Sequence, residues 1–187
     1  MGHRYNPKHA RKLNNEERRK MLPPDQVLRY LNLEETDQVL DLGAGIGYFS
    51  IPIAKRVKKV IAVEVSEEML QYLKEESAKE EINNIEFVQH EIETLPFENR
   101  YADKVIVSLV LHEVRDLNQT LGEIQRVLKL DGKLMVIEWE KKISDSGPPM
   151  EERLESSQLK TTLDKYFQNV RIERPNLDQY ILIAEQK

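Results

Sequence analysis

Two acids and three glycines between positions 41 and 64 carry the first sign of chemistry. The run Val39-Leu40-Asp41-Leu42-Gly43-Ala44-Gly45-Ile46-Gly47 passes from an apolar segment into a glycine bend. Glycine lets the chain turn sharply and lets a ligand approach the main chain with no Cβ in the way. A helix opening behind such a bend offers unpaired N–H groups. A phosphate or a carboxylate would suit them equally, so the glycines alone do not name the ligand. The spacing and the acids discriminate. G-x-G-x-G differs from the G-x-G-x-x-G of dinucleotide sites. A carboxylate at Asp41 repels a pyrophosphate and attracts an ammonium group. Glu64 stands 21 positions after Gly43, where a carboxylate can accept hydrogen bonds from both hydroxyls of a ribose.

His112 and Glu113, in the run LVLHEVRD, are the candidates for moving a proton. Histidine titrates near neutral pH and can serve as a base. The competing reading is a histidine that packs or hydrogen-bonds in a pocket wall. Trp139 and Glu140 stand at the same kind of position after a later apolar run, with Trp139 expected as a core or rim aromatic. The four histidines, His3, His9, His90 and His112, show no metal-ligand spacing, so no metal site is expected. The chain has no cysteine, which excludes disulfides, thiolate metal sites and a cysteine nucleophile.

These residues need elements to position them. Short apolar runs at 38–42, 60–65, 85–89, 103–110 and 133–140 read as strands, and helical spacing fills the segments between them. Ser66 and Asp116 have the chemistry of N-caps. Helices are expected over 67–80, from Asp116 through Leu128 to a stop at Asp131-Gly132, over 25–33, over 150–163, and directly after the glycines from Tyr48. The unbroken apolar centre of 103–110 suits a strand buried on both faces. The last two strands, 166–174 and 178–186, are joined by too few residues for a parallel crossover and must pair antiparallel. The expected fold is α/β: a doubly wound, mostly parallel Rossmann-like sheet of seven strands, with an antiparallel C-terminal hairpin strand. One domain covers 1–187, with residues 1–35 as a helical lid and 36–187 as the core.

Composition agrees with a globular chain: 187 residues, 40% hydrophobic and 33% charged. No apolar run approaches the roughly 20 residues that span a bilayer, and the N-terminus has no apolar stretch of a secretory signal. A cytoplasmic protein is the expectation. The net charge of −5 argues against a general nucleic-acid binder. The first twenty residues carry Arg4, Lys8, Arg11, Lys12, Arg18, Arg19 and Lys20 against only Glu16 and Glu17, a basic arm that reads either as a solvated face or as an attractor for an anionic substrate.

Several segments together resemble the class I S-adenosylmethionine-dependent methyltransferases, particularly the small bacterial type similar to ubiquinone/menaquinone-biosynthesis methyltransferases. VLDLGAGIGYFS is similar to the family's glycine-rich motif and VIAVEVSEEML to its ribose segment. EFVQHEIETLPFENRYADKVIVSLVLHEV looks like the adenine segment and fourth-strand motif, and RVLKLDGKLMVIEW like the closing helix and strand. The resemblance implies S-adenosylmethionine as cofactor. Asp41, Gly43, Ala44, Gly45 and Gly47 would hold its methionine end and Glu64 its ribose. Val65 and Met69 would flank the adenine. Glu91, where the family usually has Asp, and Ile92 would meet the adenine edge, and Ser108 and Leu109 would line the methyl-donor pocket. Tyr48 and Phe49 would pack under the cofactor, and Tyr5 would belong to the lid. The function expected is methyl transfer to a small molecule. The alternatives are an RNA or protein methyltransferase, a non-catalytic module that binds the cofactor, and an NAD-dependent oxidoreductase. DNA is disfavoured because VSLVL stands where amine-methylating enzymes carry Asn/Asp-Pro-Pro-Tyr/Phe. The sequence does not name the acceptor or the oligomeric state.

Overall fold

A computed structural model describes residues 16–144 and 146–187. Tyr5 and the basic residues Arg4, Lys8, Arg11 and Lys12 lie outside the described residues, whereas Arg18, Arg19 and Lys20 stand in a helix over Glu16–Met21. Seven strands form one sheet: β1 (Gln38–Leu42), β2 (Lys59–Glu64), β3 (Ile85–Gln89), β4 (Ala102–Ser108), β5 (Leu128–Trp139), β6 (Phe167–Glu173) and β7 (Gln179–Gln186). Their order is β3-β2-β1-β4-β5-β7-β6. The pairings from β3 to β5 are parallel, and β7 runs antiparallel to both β5 and β6. The chain winds outward from β1 in one direction and returns to β4 on its other side. The crevice between the C-terminal ends of β1 and β4 is therefore the switch point at which such sheets bind ligands.

Helices α1 (Glu16–Met21), α2 (Pro24–Val27), α3 (Ser50–Ala54), α4 (Glu67–Lys79), α5 (Leu117–Val127) and α6 (Ser156–Leu163) complete the fold. Strand residues alternate between two apolar layers, as a period of two requires. Leu40, Val105, Val107, Leu134, Val136 and Leu182 pack with α5 and α6. Val39, Ile106, Met135, Ile137 and Ile181 pack on the opposite face with α3 and the segment around Leu22, Val27 and Leu31. Ser66 caps α4 by accepting from the Met69 N–H at 3.3 Å, and Asp116 caps α5 by accepting from the Gln119 N–H at 3.0 Å.

Four expected helices differ from those observed. The one over 25–33 divides into α2 and a 3-10 turn at Leu28–Leu31, stopped by Asn32 in the left-handed region (φ 52°). After the glycines the helix opens at Ser50 rather than Tyr48. Helix α5 ends one residue earlier than its apolar spacing implies, because buried Leu128 pairs with Ala102 in the sheet. Asp131-Gly132 consequently bends β5 instead of closing a helix. A Cβ on Gly132 would lie 2.7 Å from the Lys129 carbonyl oxygen. The segment 150–163 is a 3-10 turn at Met150–Glu152, an extended link, and α6. Its break serves Arg153, whose side chain turns inward. The Arg153 guanidinium donates to the carbonyls of Pro148, Lys142 and Ser146 and to Ser144 Oγ, at 2.7–3.0 Å, and to the Glu140 carbonyl at 3.4 Å.

Candidate active site

At the tips of β1 and β2 the glycine bend is folded around two buried acids. The main-chain N–H groups of Gly43 and Ala44 both donate to the Val63 carbonyl, at 2.8 and 3.0 Å, which docks the bend on β2. Glu64 accepts from the Gly45 N–H and from the Ser66 N–H, each at 3.0 Å, one on each carboxylate oxygen. Each oxygen keeps a further acceptor site. Asp41 is buried and accepts from Ser50 Oγ at 2.5 Å. Burial raises its carboxyl to about 6 against the opposing Ser50 hydrogen bond, with the negative charge of Glu64 adding to the rise. A buried acid of this kind is stabilised by a cation beside it.

The glycines differ in what surrounds them. A Cβ on Gly43 (φ 72°) would overlap Val110 Cγ2, and one on Gly47 (φ 87°) would overlap Leu73 Cδ1. These two are required by packing as well as by conformation. At Gly45 (φ 55°) nothing comes nearer than Met69 Sδ at 4.0 Å, so the main chain there is open to a ligand. Met69 is buried and Val65 half-buried beside this space.

The remaining sequence candidates stand on the neighbouring loops. Ile92 is buried in the core, while Glu91 is half-buried and pairs with Arg115 at 2.6 Å. Glu91, Thr94, Arg115 and Gln119 line a cleft there. Ser108 ends β4, and its buried hydroxyl has no hydrogen-bond partner among the described residues. Leu109 takes a left-handed conformation (φ 59°) and donates its N–H to the Ile137 carbonyl at 2.8 Å. This turn brings Val110 against Gly43 and so joins the two halves of the crevice.

Beyond it, a 3-10 turn at Leu111–Glu113 presents His112. Its Nδ1 lies 2.8 Å from Glu138 Oε2, and its Nε2 lies 3.8 Å from Glu113 Oε1. Burial depresses the imidazole's basicity, but the hydrogen bond and charge of Glu138, with Glu113 and Glu152 behind it, reverse this and leave its pKa raised. The sequence reading missed Glu138. It shares the inward parity of Leu134 and Val136 on β5 and is fully buried. A charged residue at an inward position was the available signal. Trp139 is half-buried; a Cβ on Gly147 would lie 2.7 Å from its ring, and the Arg153 guanidinium lies 5.5 Å from it. Glu140 accepts from Ser156 Oγ at 2.7 Å and from Arg174 at 2.6 Å.

Tyr48 and Phe49 are buried in the layer containing Leu22 and Val27. The Tyr48 hydroxyl donates to the Leu22 carbonyl at 2.7 Å, and the Arg18 guanidinium lies 4.2 Å from its ring centroid. Asn176 donates to the Met21 carbonyl at 2.9 Å. The segment around residues 18–22 is thereby fastened to both the glycine bend and the β6–β7 turn.

The family model described as a methyltransferase domain matches residues 33–173. The chain belongs to this methyltransferase family. The chain is 35% identical over 122 residues to the ubiquinone/menaquinone biosynthesis C-methyltransferase UbiE of Francisella tularensis, covering 63% of this chain and 49% of that protein. It is 34% identical over 112 residues to the 23S rRNA (uracil(1939)-C(5))-methyltransferase RlmD of Aliivibrio fischeri, covering 60% of this chain and 25% of the relative. The matched region thus spans half or less of these curated relatives. A solved S-adenosylmethionine-dependent methyltransferase from Aquifex aeolicus superposes with a TM-score of 0.87 at 27% identity, covering 98% of this chain and all of that one. The fold is the Rossmann-like one of class I methyltransferases, and the family's cofactor is S-adenosylmethionine. The site's chemistry fits that cofactor: a buried acid suited to a cation, a second acid with free acceptor capacity, an open glycine and an unsatisfied serine hydroxyl.

Proposed function

We propose that this methyltransferase transfers a methyl group from S-adenosylmethionine to a small-molecule acceptor at the β1–β4 crevice. The observation that carries the reading is the pair of buried acids bracketing an open glycine. Asp41, with main-chain groups of Gly43, Ala44, Gly45 and Gly47, binds the methionine end. Glu64 binds the ribose hydroxyls, Val65 and Met69 flank the adenine, and Glu91 and Ile92 border its edge. Ser108 and Leu109 line the space near the methyl group. The cofactor, when bound, supplies an electrophilic methyl carbon on a positively charged sulfur. The chain's own work is to align the acceptor and to take its proton. His112 is the base, and Glu113 stands close enough to stabilise its imidazolium.

Calorimetry tests the binding step: S-adenosylmethionine and S-adenosylhomocysteine bind, and a nicotinamide dinucleotide does not. The reverse result would overturn the reading. Incubation with methyl-labelled cofactor and separated metabolite, RNA and protein fractions of a cell extract tests the acceptor, with label expected in the metabolites. Label in RNA would favour an activity of the kind named for the relative RlmD. Binding without any transfer would make the protein a cofactor-binding module.

A further inference from the structure

Glu138 lies on β5 and His112 in the turn after β4, 26 positions apart in sequence. The glutamate side chain is fully buried. It accepts from His112 Nδ1 at 2.8 Å, from the His112 main-chain N–H at 3.3 Å and from the Trp139 N–H at 3.2 Å. Isolated buried carboxylates are costly, so these donors are what hold it there. The main-chain bond fixes the turn as well as the ring. A neutral imidazole protonated on Nε2 would set the Nδ1 lone pair against carboxylate lone pairs. The geometry therefore selects the Nδ1–H form and leaves Nε2 as the ring's proton acceptor.

We propose that Glu138 is the positioning residue of the methyl-transfer site, holding His112 as an Nε2 base for an uncharged acceptor that carries a proton on the atom to be methylated. The inference rests on the methyl-transfer reading and adds to it a residue and an acceptor class. As the acceptor atom bonds to the methyl carbon, the carbon–sulfur bond breaks with its electron pair passing to sulfur. The acceptor's proton passes to His112 Nε2 and later to water. The groups facing the ring are Glu138 from β5, Glu113 from its own turn and Glu152 from the turn before α6. These acids stabilise the imidazolium, and they repel an acceptor that is already anionic. Hydroxyl and amine acceptors fit this field, whereas carboxylates do not.

The test begins without any acceptor. Long-range proton–nitrogen NMR of the 15N-labelled full chain separates the two ring nitrogens, and His112→Gln identifies the His112 signals. The wild type should show the proton on Nδ1 in the neutral ring. In Glu138→Gln the His112 midpoint should fall by at least one pH unit, with loss of the single tautomer. With the acceptor fraction labelled in the transfer assay, Glu138→Gln should lower kcat about 100-fold, the range of a displaced general base. KM for S-adenosylmethionine should stay within twofold. Glu138→Asp should recover part of the loss and return the midpoint toward the wild-type value. An Nε2–H ring in the wild type, an unmoved midpoint in Glu138→Gln, or wild-type kcat at every pH in that variant would overturn the proposal. Wild-type spectra decide the tautomer even if Glu138→Gln does not fold. Failure of the wild type to bind S-adenosylmethionine would sink the methyl-transfer reading, whereas binding with an unmoved His112 midpoint would sink the Glu138 role alone.

Discussion

The two halves of the crevice hold their acids by different means. At the tips of β1 and β2, Glu64 is held by main-chain N–H groups of Gly45 and Ser66, 19 and 2 positions away. At the tips of β4 and β5, Glu138 also has two main-chain donors, His112 and Trp139 at 3.3 and 3.2 Å, but its shortest bond, at 2.8 Å, comes from the His112 side chain. Main-chain donors persist through most substitutions, because every residue except proline has one. A side-chain donor disappears with its residue. The first half is thus a durable binder, and the second is the half whose chemistry one substitution rewrites.

The largest expected effect probes that division directly. His112→Gln should lower turnover about 10²- to 10⁴-fold, the usual contribution of a general base, with S-adenosylmethionine affinity unchanged within twofold. Initial rates and calorimetry on the same preparation measure both, and equal losses would erase the distinction between the halves. Glu64→Ala should do the opposite. It removes the acceptor for two main-chain N–H groups and for the ribose, so affinity should fall roughly 100-fold, from about 1–2 kcal/mol for each of two ligand hydrogen bonds. Turnover at saturating cofactor should stay near wild type.

Gly43→Ala tests the seam between the halves. The positive φ and the overlap with Val110 should together cost about 2–3 kcal/mol in urea unfolding. Val110→Ala in the same chain should return the part due to overlap. Gly45→Ala, with open space around it, should cost only about 1 kcal/mol, and its main loss should appear in cofactor binding. If Gly43→Ala were the milder of the two in unfolding, the packing contrast would be wrong.

The smallest effect is the dependence on pH. Asp41 has a carboxyl raised from 3.8 to about 6, so the folded protein binds its proton more tightly than the unfolded chain. Its contribution to stability is therefore greatest below about 4 and declines as pH rises to about 6. A cation beside it favours the ionised form, so cofactor affinity should fall by up to tenfold per pH unit below about 6. Asp41→Asn should flatten that slope in calorimetric titrations. His112 has the complementary sign. Its raised pKa adds stability below about 6.5, and this is lost as pH rises through the folded value. A slope in cofactor affinity that survived Asp41→Asn would reassign it to another group.

The same contrast explains what was legible in the sequence. The β1 and β2 tips are written in nearly contiguous residues, and strand–glycine–helix–acid can be read without knowing which strands touch. The strand pattern was legible for the same reason, since an apolar run marks a strand wherever it pairs. The charge of Glu138 at an inward position was legible, but its partner was not, because that comes from the parallel register that sets β5 beside β4. In KLMVIEWE the two rim residues Trp139 and Glu140 drew attention, although Glu138 occupies the inward position. Leu128 was assigned to a helix because its spacing continues α5, and only its pairing with Ala102 shows otherwise. The break in 150–163 depends on where the Arg153 side chain goes, which helical periodicity does not encode.

Arg153 has one more consequence. A single guanidinium satisfies acceptors on residues 140, 142, 144, 146 and 148. Withdrawing that one side chain would therefore release five oxygens together. The wall beside Trp139 thus gathers its acceptors on one cation, while the glycine bend across the crevice spreads its anchors over the Val63 carbonyl and the Glu64 carboxylate.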